Sequence, residues 1–224
     1  MHRGLRHLKD ELLAHLPFSI FATVGGMTLV AILTFIGEPL YEDDLPGAFR
    51  ELFHIFHPIH MLFSGAATTA MFWQYERRLL KALVVGLLGA ILVCGASDIL
   101  IPHLGGLVLG VDMHLHLCIL EHPMLVLPFT AVGVLAGFLA SGHIVRATVF
   151  SHTVHVLISS SASLLYLVSF GLEHWIHQAG WVFIFVIVAV VVPCCFSDIV
   201  FPLLVVTKEG EPPPLDSHHH GGEQ

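Results

Sequence analysis

A nine-residue phrase that combines a thiol, a hydroxyl and a carboxylate occurs twice in this chain. Residues 94–102 and residues 194–202 both fit the pattern C-x-x-S-D-I-x-x-P, at an offset of 100 residues. Each phrase lies at the end of a long apolar run, where an ionisable side chain is costly and is therefore a candidate for function. The alternative is that Asp98 and Asp198 only cap a helix break before the following proline.

Histidine pairs accompany the two phrases. His57 and His60 lie in one apolar run, and His152 and His155 lie in another at an offset of 95 residues. Residues three or four apart share a face of a helix, so each pair can point to the same side. Imidazole, thiolate and carboxylate together favour zinc, nickel, cobalt, manganese or iron over magnesium and calcium. The predicted metal ligands are His57, His60, Asp98, Cys94, His152, His155, Asp198 and Cys194.

A second group of possible metal ligands lies close to or between the apolar runs. Its members are His54, His114, His116, Glu121, His122, His174 and His177. If residues 112–122 are helical, His114, Cys118 and either Glu121 or His122 share one stripe. This concentration predicts a secondary site that captures metal at the outer surface. Solvated histidines at the membrane interface are the alternative.

Small hydroxylated residues follow the histidine pairs in both runs. They are Ser64, Thr68, Ser159, Ser160 and Ser163. Such residues allow helices to pack closely, and their oxygens can line a polar path through apolar surroundings. Their position favours a path between two His/Asp clusters, and helix packing alone is the alternative.

The composition predicts an integral membrane protein. Hydrophobic residues make up 55% of the chain and charged residues 12%, and the mean hydropathy is +0.83, all outside the range of ordinary soluble domains. A bilayer core of about 30 Å needs about 20 apolar residues per helix. Runs of that length cover residues 16–36, 54–73, 82–101, 122–141, 149–169 and 181–202. The predicted fold is therefore all-α, with six transmembrane helices.

Charge placement predicts the orientation in the membrane. Basic residues precede the first run, separate the second from the third and the fourth from the fifth, and follow the sixth. Such segments are usually cytoplasmic, which predicts a multi-pass protein with both termini in the cytoplasm. The opposite loops are acidic and account for most of the net charge of -8. No basic patch for nucleic acid is present in the sequence.

The chain reads as a duplication with three ordered matches. Besides the histidine pairs and the C-x-x-S-D phrases, L-P-F-S at residues 16–19 returns as L-P-F-T at residues 127–130. An odd number of spans per repeat inserts the two halves with opposite topology, as in many secondary transporters. We expect residues 1–105 to form the first three-span repeat, with a cytoplasmic N-terminus. Residues 106–207 then form the second, with an outer His-rich connector, and residues 208–224 form a disordered His-containing cytoplasmic tail.

This topology predicts one cluster near each face of the membrane. His57, His60 and Asp98 are expected near the outer face, and the set that includes His155 and Asp198 near the inner face. The cysteines of the two phrases then lie too far apart for a disulfide.

The predicted function is a membrane permease for a divalent transition-metal ion, a transporter rather than an enzyme. Ions would pass from the outer cluster along the hydroxyl-lined path to the inner cluster. Protons are the expected coupling ion, because ligands bind metal only when deprotonated. The expected partners are the lipid bilayer and the metal ion, and a homo-oligomer stays open. Two alternatives also stay open: a membrane-embedded metal- or haem-binding redox enzyme or subunit, and a structural subunit of a membrane complex.

Overall fold

The computed structural model describes residues 2–37, 44–140, 144–195 and 201–206. Within them, side chains are not described for residues 2–15, 144–152, 195 and 203. All regular secondary structure in this part of the chain is helical. The helices are α1 (His2–Gly37), α2 (Leu45–Tyr75), α3 (Leu79–Gly95), a π-helical turn (Ala96–Leu100), α4 (Ile101–Val108), α5 (Cys118–Glu121), α6 (Pro123–Ala140), α7 (Ile144–Ser169), a 3-10 turn (Trp175–Gln178), α8 (Ala179–Cys195) and α9 (Phe201–Val205).

Four helical segments are long and apolar enough to cross a membrane. They are Leu16–Gly37, Leu79–Val108, Pro123–Ala140 and Trp175–Cys194. The expectation of an all-helical, multi-pass membrane protein is therefore confirmed at this coarser level. The other two predicted spans do not meet the criteria of both length and apolarity. They fall on α2 and α7, which are 31 and 26 residues long. These two helices carry all four histidines of the predicted primary metal ligands and all of the predicted path residues.

The helices α2 and α7 lie side by side in the middle of the bundle. α2 contacts α3, α6 and α7, and α7 contacts α1, α2 and α8. They run antiparallel, because His60 of α2 meets His155 of α7 while Phe53 meets Tyr166. Residues 159–170 are all buried. A helix that is buried on every side can keep polar residues only where other protein groups bind them.

Two glycines allow α6 to approach the backbone of α2. A Cβ atom added at Gly137 would lie 2.6 Å from the carbonyl oxygen of Ala66, and one added at Gly133 would collide with that of Leu62. Small residues four apart permit such close crossings between membrane helices. This contact fixes α2, and with it the histidines of α2, against the bundle.

The proline of the phrase at residues 94–102 changes the hydrogen bonding of the π-helical turn. Pro102 has no N–H, so in a π turn the carbonyl of Ser97 loses its partner five residues later. The hydroxyl of Ser163 on α7 donates to that carbonyl at 3.0 Å. Asp98 lies inside this turn and not at a helix end. The alternative in which Asp98 caps a helix break is therefore wrong.

The segment between α4 and α5 is not helical, contrary to the stripe predicted for residues 112–122. α4 ends before Gly110, which has a φ of 79°, a conformation that glycine adopts readily. The chain is then irregular up to Leu117. The backbone N–H of His114 donates to the carbonyl of Phe170 at 2.9 Å, and that of His116 donates to the hydroxyl of Tyr166 at 3.1 Å. These bonds hold the segment across the end of α7.

The expected repeat boundary at residues 105 and 106 falls inside α4, which ends at Val108. The predicted tail at residues 208–224 lies outside the described residues.

Candidate metal centre

Asp98 lies at the centre of a buried hydrogen-bond network that joins three segments of the bundle. Its Oδ2 atom accepts from the Nδ1 atoms of His57 and His60, at 2.8 and 2.7 Å. Its Oδ1 atom accepts from the hydroxyls of Ser97 and Ser159, at 2.8 and 3.2 Å. All five residues are buried, so the carboxylate has four protein donors in place of water.

This network makes the Nε2 atom of His60 the nitrogen that can bind a metal. A carboxylate that accepts from one ring nitrogen of a histidine fixes the tautomer and leaves the lone pair on the other. Three further side chains converge on this Nε2 atom. They are His155, whose Nε2 lies at 2.8 Å, and Cys194 and Cys94, whose Sγ atoms lie at 3.7 and 3.8 Å. We call His60, His155, Cys94 and Cys194 the buried site.

The distances from the Nε2 atom of His60 to the other ligand atoms are close to those of a tetrahedral metal centre. Metal–nitrogen bonds of about 2.0–2.1 Å and metal–sulfur bonds of about 2.3 Å separate N and S ligands by about 3.6 Å and two N ligands by about 3.3 Å. The N to S distances around His60 are 3.7 and 3.8 Å, and the N to N distance to His155 is 2.8 Å. The two imidazoles would have to separate by roughly 0.5 Å. Cys94 would also have to move closer, because the ligand atoms that all lie within 4.8 Å of one another are those of His60, His155 and Cys194. Two imidazoles and two thiols suit zinc and other borderline or soft ions.

The predicted separation into an outer and an inner cluster is wrong, because His60 and His155 are in contact. His60 lies about 22 Å from the start of α2, and His155 about 17 Å from the start of α7. Both residues are therefore near the middle of their helices. The prediction took the edges of the apolar runs as helix ends, whereas both helices begin several residues earlier. Cys94 and Cys194 likewise both lie near the Nε2 atom of His60 instead of near opposite faces of the membrane.

Two predicted ligands do not enter this description. The side chain of His152, within α7, is not described, and Asp198 lies outside the described residues.

The predicted path residues do not lie between two clusters. Ser159 bonds to Asp98, and Ser163 bonds to the carbonyl of Ser97, so both belong to the network around the acid. The hydroxyl of Ser160 instead contacts that of Thr23 on α1, at 3.1 Å. These contacts connect α7 to its neighbours on two sides.

The remaining two path residues lie on the other side of the buried site. Ser64 and Thr68 are buried on α2, about 6 and 12 Å beyond His60 toward the C-terminal end of the helix.

A second group of imidazoles lies where α2 meets the segment before α6. The Nε2 atoms of His54 and His116 are 3.1 Å apart, and the ring of His122 lies 4.8 and 5.6 Å from those two rings. One ligand atom from each of the three falls within 4.8 Å of the others. We call His54, His116 and His122 the loop site.

Glu121 orients one member of the loop site. Its Oε2 atom lies 2.9 Å from Nδ1 of His116, and its Oε1 atom accepts from the N–H of Leu117 at 3.2 Å. Burial is the largest influence on His116 and lowers its pKa, with His122 and Arg50 acting in the same direction and Glu121 opposing them. The imidazole therefore stays neutral to a lower pH than an exposed histidine.

The pKa values of two neighbouring side chains move apart. Burial, with the nearby charges of Glu121 and Asp98, raises the pKa of Cys118 to about 12. Desolvation is the largest single influence on Glu121 and opposes its ionisation, yet the hydrogen bond from Leu117 and the interactions with His116 and His122 together lower its pKa. A neutral thiol therefore lies beside a carboxylate that is ionised at neutral pH.

Three of the predicted capture residues are not part of the loop site. His114 is exposed, and its backbone, not its ring, holds the segment. His174 and His177 are exposed near the start of α8, where their rings lie 6.3 Å from each other. Of the predicted capture residues, the structure therefore brings His54, His116, Glu121 and His122 together. It leaves His114, His174 and His177 apart from them.

Sequence reasoning missed an aromatic layer between the two sites. The buried ring of Phe53 stacks on His57, with centroids 5.2 Å apart, and meets the edges of Tyr166 and Phe170 at 5.5 and 6.0 Å. Phe53, Tyr166 and Phe170 form this layer. Phe53 precedes His57 by four residues, so the helical spacing does place it on the same face, directly above the predicted ligands.

Comparison with models of known protein families, with curated proteins and with solved structures found no match. The functional argument therefore comes from the residues of the two sites and their geometry.

Proposed function

We propose that the protein is a permease for a divalent transition-metal ion and that the buried site is its transport site. The observation that carries the proposal is the convergence of His155, Cys94 and Cys194 on the Nε2 atom of His60. These four ligands come from four different helices. An ion held there is in contact with every helix that would have to move for it to be released.

Symmetry about the site supports the proposal. His60 and His155 are equivalent in the duplicated sequence, and so are Cys94 and Cys194. Each equivalent pair meets at the same place, as expected if an approximate two-fold axis passes through the site. Inverted-repeat transporters bind their substrate at such a place, between the repeats and near the middle of the membrane.

The helix contacts agree with the same symmetry. α1 packs on α7 as α6 packs on α2, and α1 touches α8 as α6 touches α3. A Cβ atom on Gly26 of α1 would lie 3.1 Å from the hydroxyl of Ser161, and one on Gly137 of α6 would lie 2.6 Å from the carbonyl of Ala66. Gly26 and Gly137 differ by 111 residues and Ala66 and Ser161 by 95, which are the offsets of the sequence repeat. Equivalent residues therefore make equivalent contacts.

This symmetry extends the proposal to six spans in two inverted three-helix repeats, with both termini in the cytoplasm as the charge pattern predicts. In this arrangement α2 and α7 cross the membrane as well, since lengths of 31 and 26 residues exceed the bilayer core. Their polar residues face the centre of the bundle. The other four spans then shield α2 and α7 from lipid.

The chemistry of the site favours reversible binding of an ion over haem. A haem would have to fit between two ring nitrogens that are 2.8 Å apart and enclosed by buried residues of four helices. An ion needs only a small opening of the pair. Proton return would favour release, because imidazole and thiolate bind metal only in their deprotonated forms. Asp98 would keep His60 in the binding tautomer.

The experiment that tests this function is metal uptake into liposomes that contain the purified full-length chain. Zinc, cobalt and manganese are offered outside, and an indicator trapped inside reports arrival. His60→Ala and Cys194→Ser are expected to abolish uptake of the transported ion, whereas His177→Ala, which changes an exposed histidine away from both sites, should transport as wild type. Wild-type uptake by both buried-site variants would overturn the proposal. Tight metal binding without any uptake would instead indicate a resident metal and a metalloenzyme.

A further inference from the structure

We propose that the loop site is a second metal site, distinct from the buried site, which takes a divalent ion such as zinc, nickel or cobalt on three imidazoles. The binding site itself does not depend on transport. Its role, to load the buried site, rests on the proposed function.

The first argument is the orientation of His116. Its Nδ1 atom lies against the carboxylate of Glu121, and the second oxygen of that carboxylate is held by the backbone of Leu117. The lone pair of His116 is therefore directed through Nε2 toward His54. Metal-binding histidines usually have a carboxylate or carbonyl on the nitrogen that does not bind the metal. Asp98 has the same relation to His60 in the buried site.

The second argument is the spacing of the ligand atoms. The 3.1 Å between the Nε2 atoms of His54 and His116 is close to the value of about 3.3 Å for two imidazoles on a tetrahedral ion. His122 completes a set in which one atom from each residue is within 4.8 Å of the others. His122 is exposed, so solvent can reach the fourth position. Three imidazoles with an open position hold an ion that can still exchange ligands.

The third argument is that the aromatic layer separates the two sites. Along α2, His54 and His60 are six residues apart, or about 9 Å. The ring of Phe53 is fully buried, stacks on His57, and has its centroid 5.8 and 6.3 Å from the rings of His54 and His116. One ion cannot use ligands from both sites, so two ions can bind at once. His57 is the imidazole an ion meets after it passes Phe53.

The two sites also differ in ligand chemistry. The loop site has three imidazoles, of which His122 is exposed, and one thiol, since Sγ of Cys118 lies 3.6 Å from Nε2 of His116. The buried site has two imidazoles and two thiols inside the bundle. Soft thiolate ligands hold zinc more strongly and suit nickel and cobalt less. An ion can therefore be collected at the loop site by modest binding and retained at the buried site by stronger binding.

The test is to count zinc bound per chain, by elemental analysis after equilibrium dialysis of the full-length protein in detergent. We expect two equivalents for wild type and one for His122→Ala, an exposed position whose change leaves the fold intact. His114→Ala is the matched control, because this exposed histidine lies in the same segment outside the site, and it should retain two. The double variant Cys94→Ser/Cys194→Ser should lose the other equivalent and keep the one at the loop site.

Glu121→Gln supplies a readout that depends on orientation. It retains the three imidazoles and is expected to weaken the loop-site equivalent by about 10- to 100-fold, the usual effect of losing a carboxylate behind a ligating histidine. If wild type binds one equivalent of zinc and His122→Ala also binds one, the second site is overturned and the transport proposal stands. If wild type binds two equivalents of zinc, His122→Ala binds one, and the cysteine variants show normal uptake, the transport proposal is overturned and the second site stands.

Discussion

Replacement of Asp98 by asparagine separates the role of the charge from the role of the hydrogen bonds. An asparagine has nearly the same shape, and its amide oxygen can accept from His57 and His60 in place of Oδ2. Its NH2 group would then face Ser97 and Ser159, whose hydroxyls can rotate and become acceptors. The network is preserved in number while the negative charge behind His60 is lost.

The expected cost of Asp98→Asn falls on metal binding. Loss of a carboxylate behind a ligating histidine typically lowers metal affinity by 10- to 100-fold, which is about 1.4–2.7 kcal/mol. Asp98→Leu has a different cost, because the Nδ1 hydrogens of His57 and His60 would then be buried without an acceptor. At about 1–3 kcal/mol each, the loss of about 2–6 kcal/mol is a large part of a typical stability of 5–15 kcal/mol.

Two measurements separate these effects. Zinc affinity is obtained by competition with a chromophoric chelator, and stability by thermal unfolding without metal. We expect Asp98→Asn to unfold near the wild-type temperature with weakened binding, and Asp98→Leu to unfold well below it. Asp112→Asn, at an exposed acid, is the control for loss of one negative charge. Binding by Asp98→Asn within twofold of wild type would refute the idea that the carboxylate tunes His60. The sequence repeat further predicts that Asp198→Asn weakens binding as Asp98→Asn does.

Three further substitutions test the packing around the sites. Gly137→Ala should destabilise the protein by about 1–3 kcal/mol through overpacking against α2, while Gly180→Ala, with nothing within 4 Å of the new atom, should unfold at or slightly above the wild-type temperature. Ser163→Ala removes the donor to the carbonyl of Ser97 and should lower the free energy of unfolding by about 1–3 kcal/mol in denaturant titrations. Phe53→Ala should cost about 3–5 kcal/mol and speed the reaction of the buried thiols with a small thiol reagent; an unchanged labelling rate would show that the aromatic layer is not the barrier.

The chemistry of the buried site could be predicted from the sequence, but its depth could not. Repeated spacing placed His60, His155, Cys94 and Cys194 among eight predicted ligands, because a duplicated pattern of costly residues in apolar runs has few structural explanations. The position of a ligand along its helix depends on where the helix begins. A helix whose first turns are polar begins before its apolar run, so the apolar pattern does not locate its start. The midpoints of α2 and α7, rather than their ends, carry the ligands.

The choice among the loop histidines also needed the structure. Helical spacing grouped His114 with Cys118, whereas the observed irregular backbone turns His116 inward instead. That backbone is held by bonds to Phe170 and Tyr166, which are 56 and 50 residues away along the chain. Local spacing cannot contain such information.

The polarity of α2 has a consequence for how the protein reaches the membrane. This helix is not among the segments that are long and apolar enough to cross a membrane, yet along the chain it lies between α1 and α3, which contain two of those segments. In the proposed six-span arrangement, a helix with several polar groups becomes stable in lipid only when neighbours cover those groups. Biogenesis and formation of the metal centre are then coupled. Substitutions that weaken the contact of α2 with α7 should reduce the amount of inserted protein, so expression level must be measured before any loss of activity is assigned to chemistry.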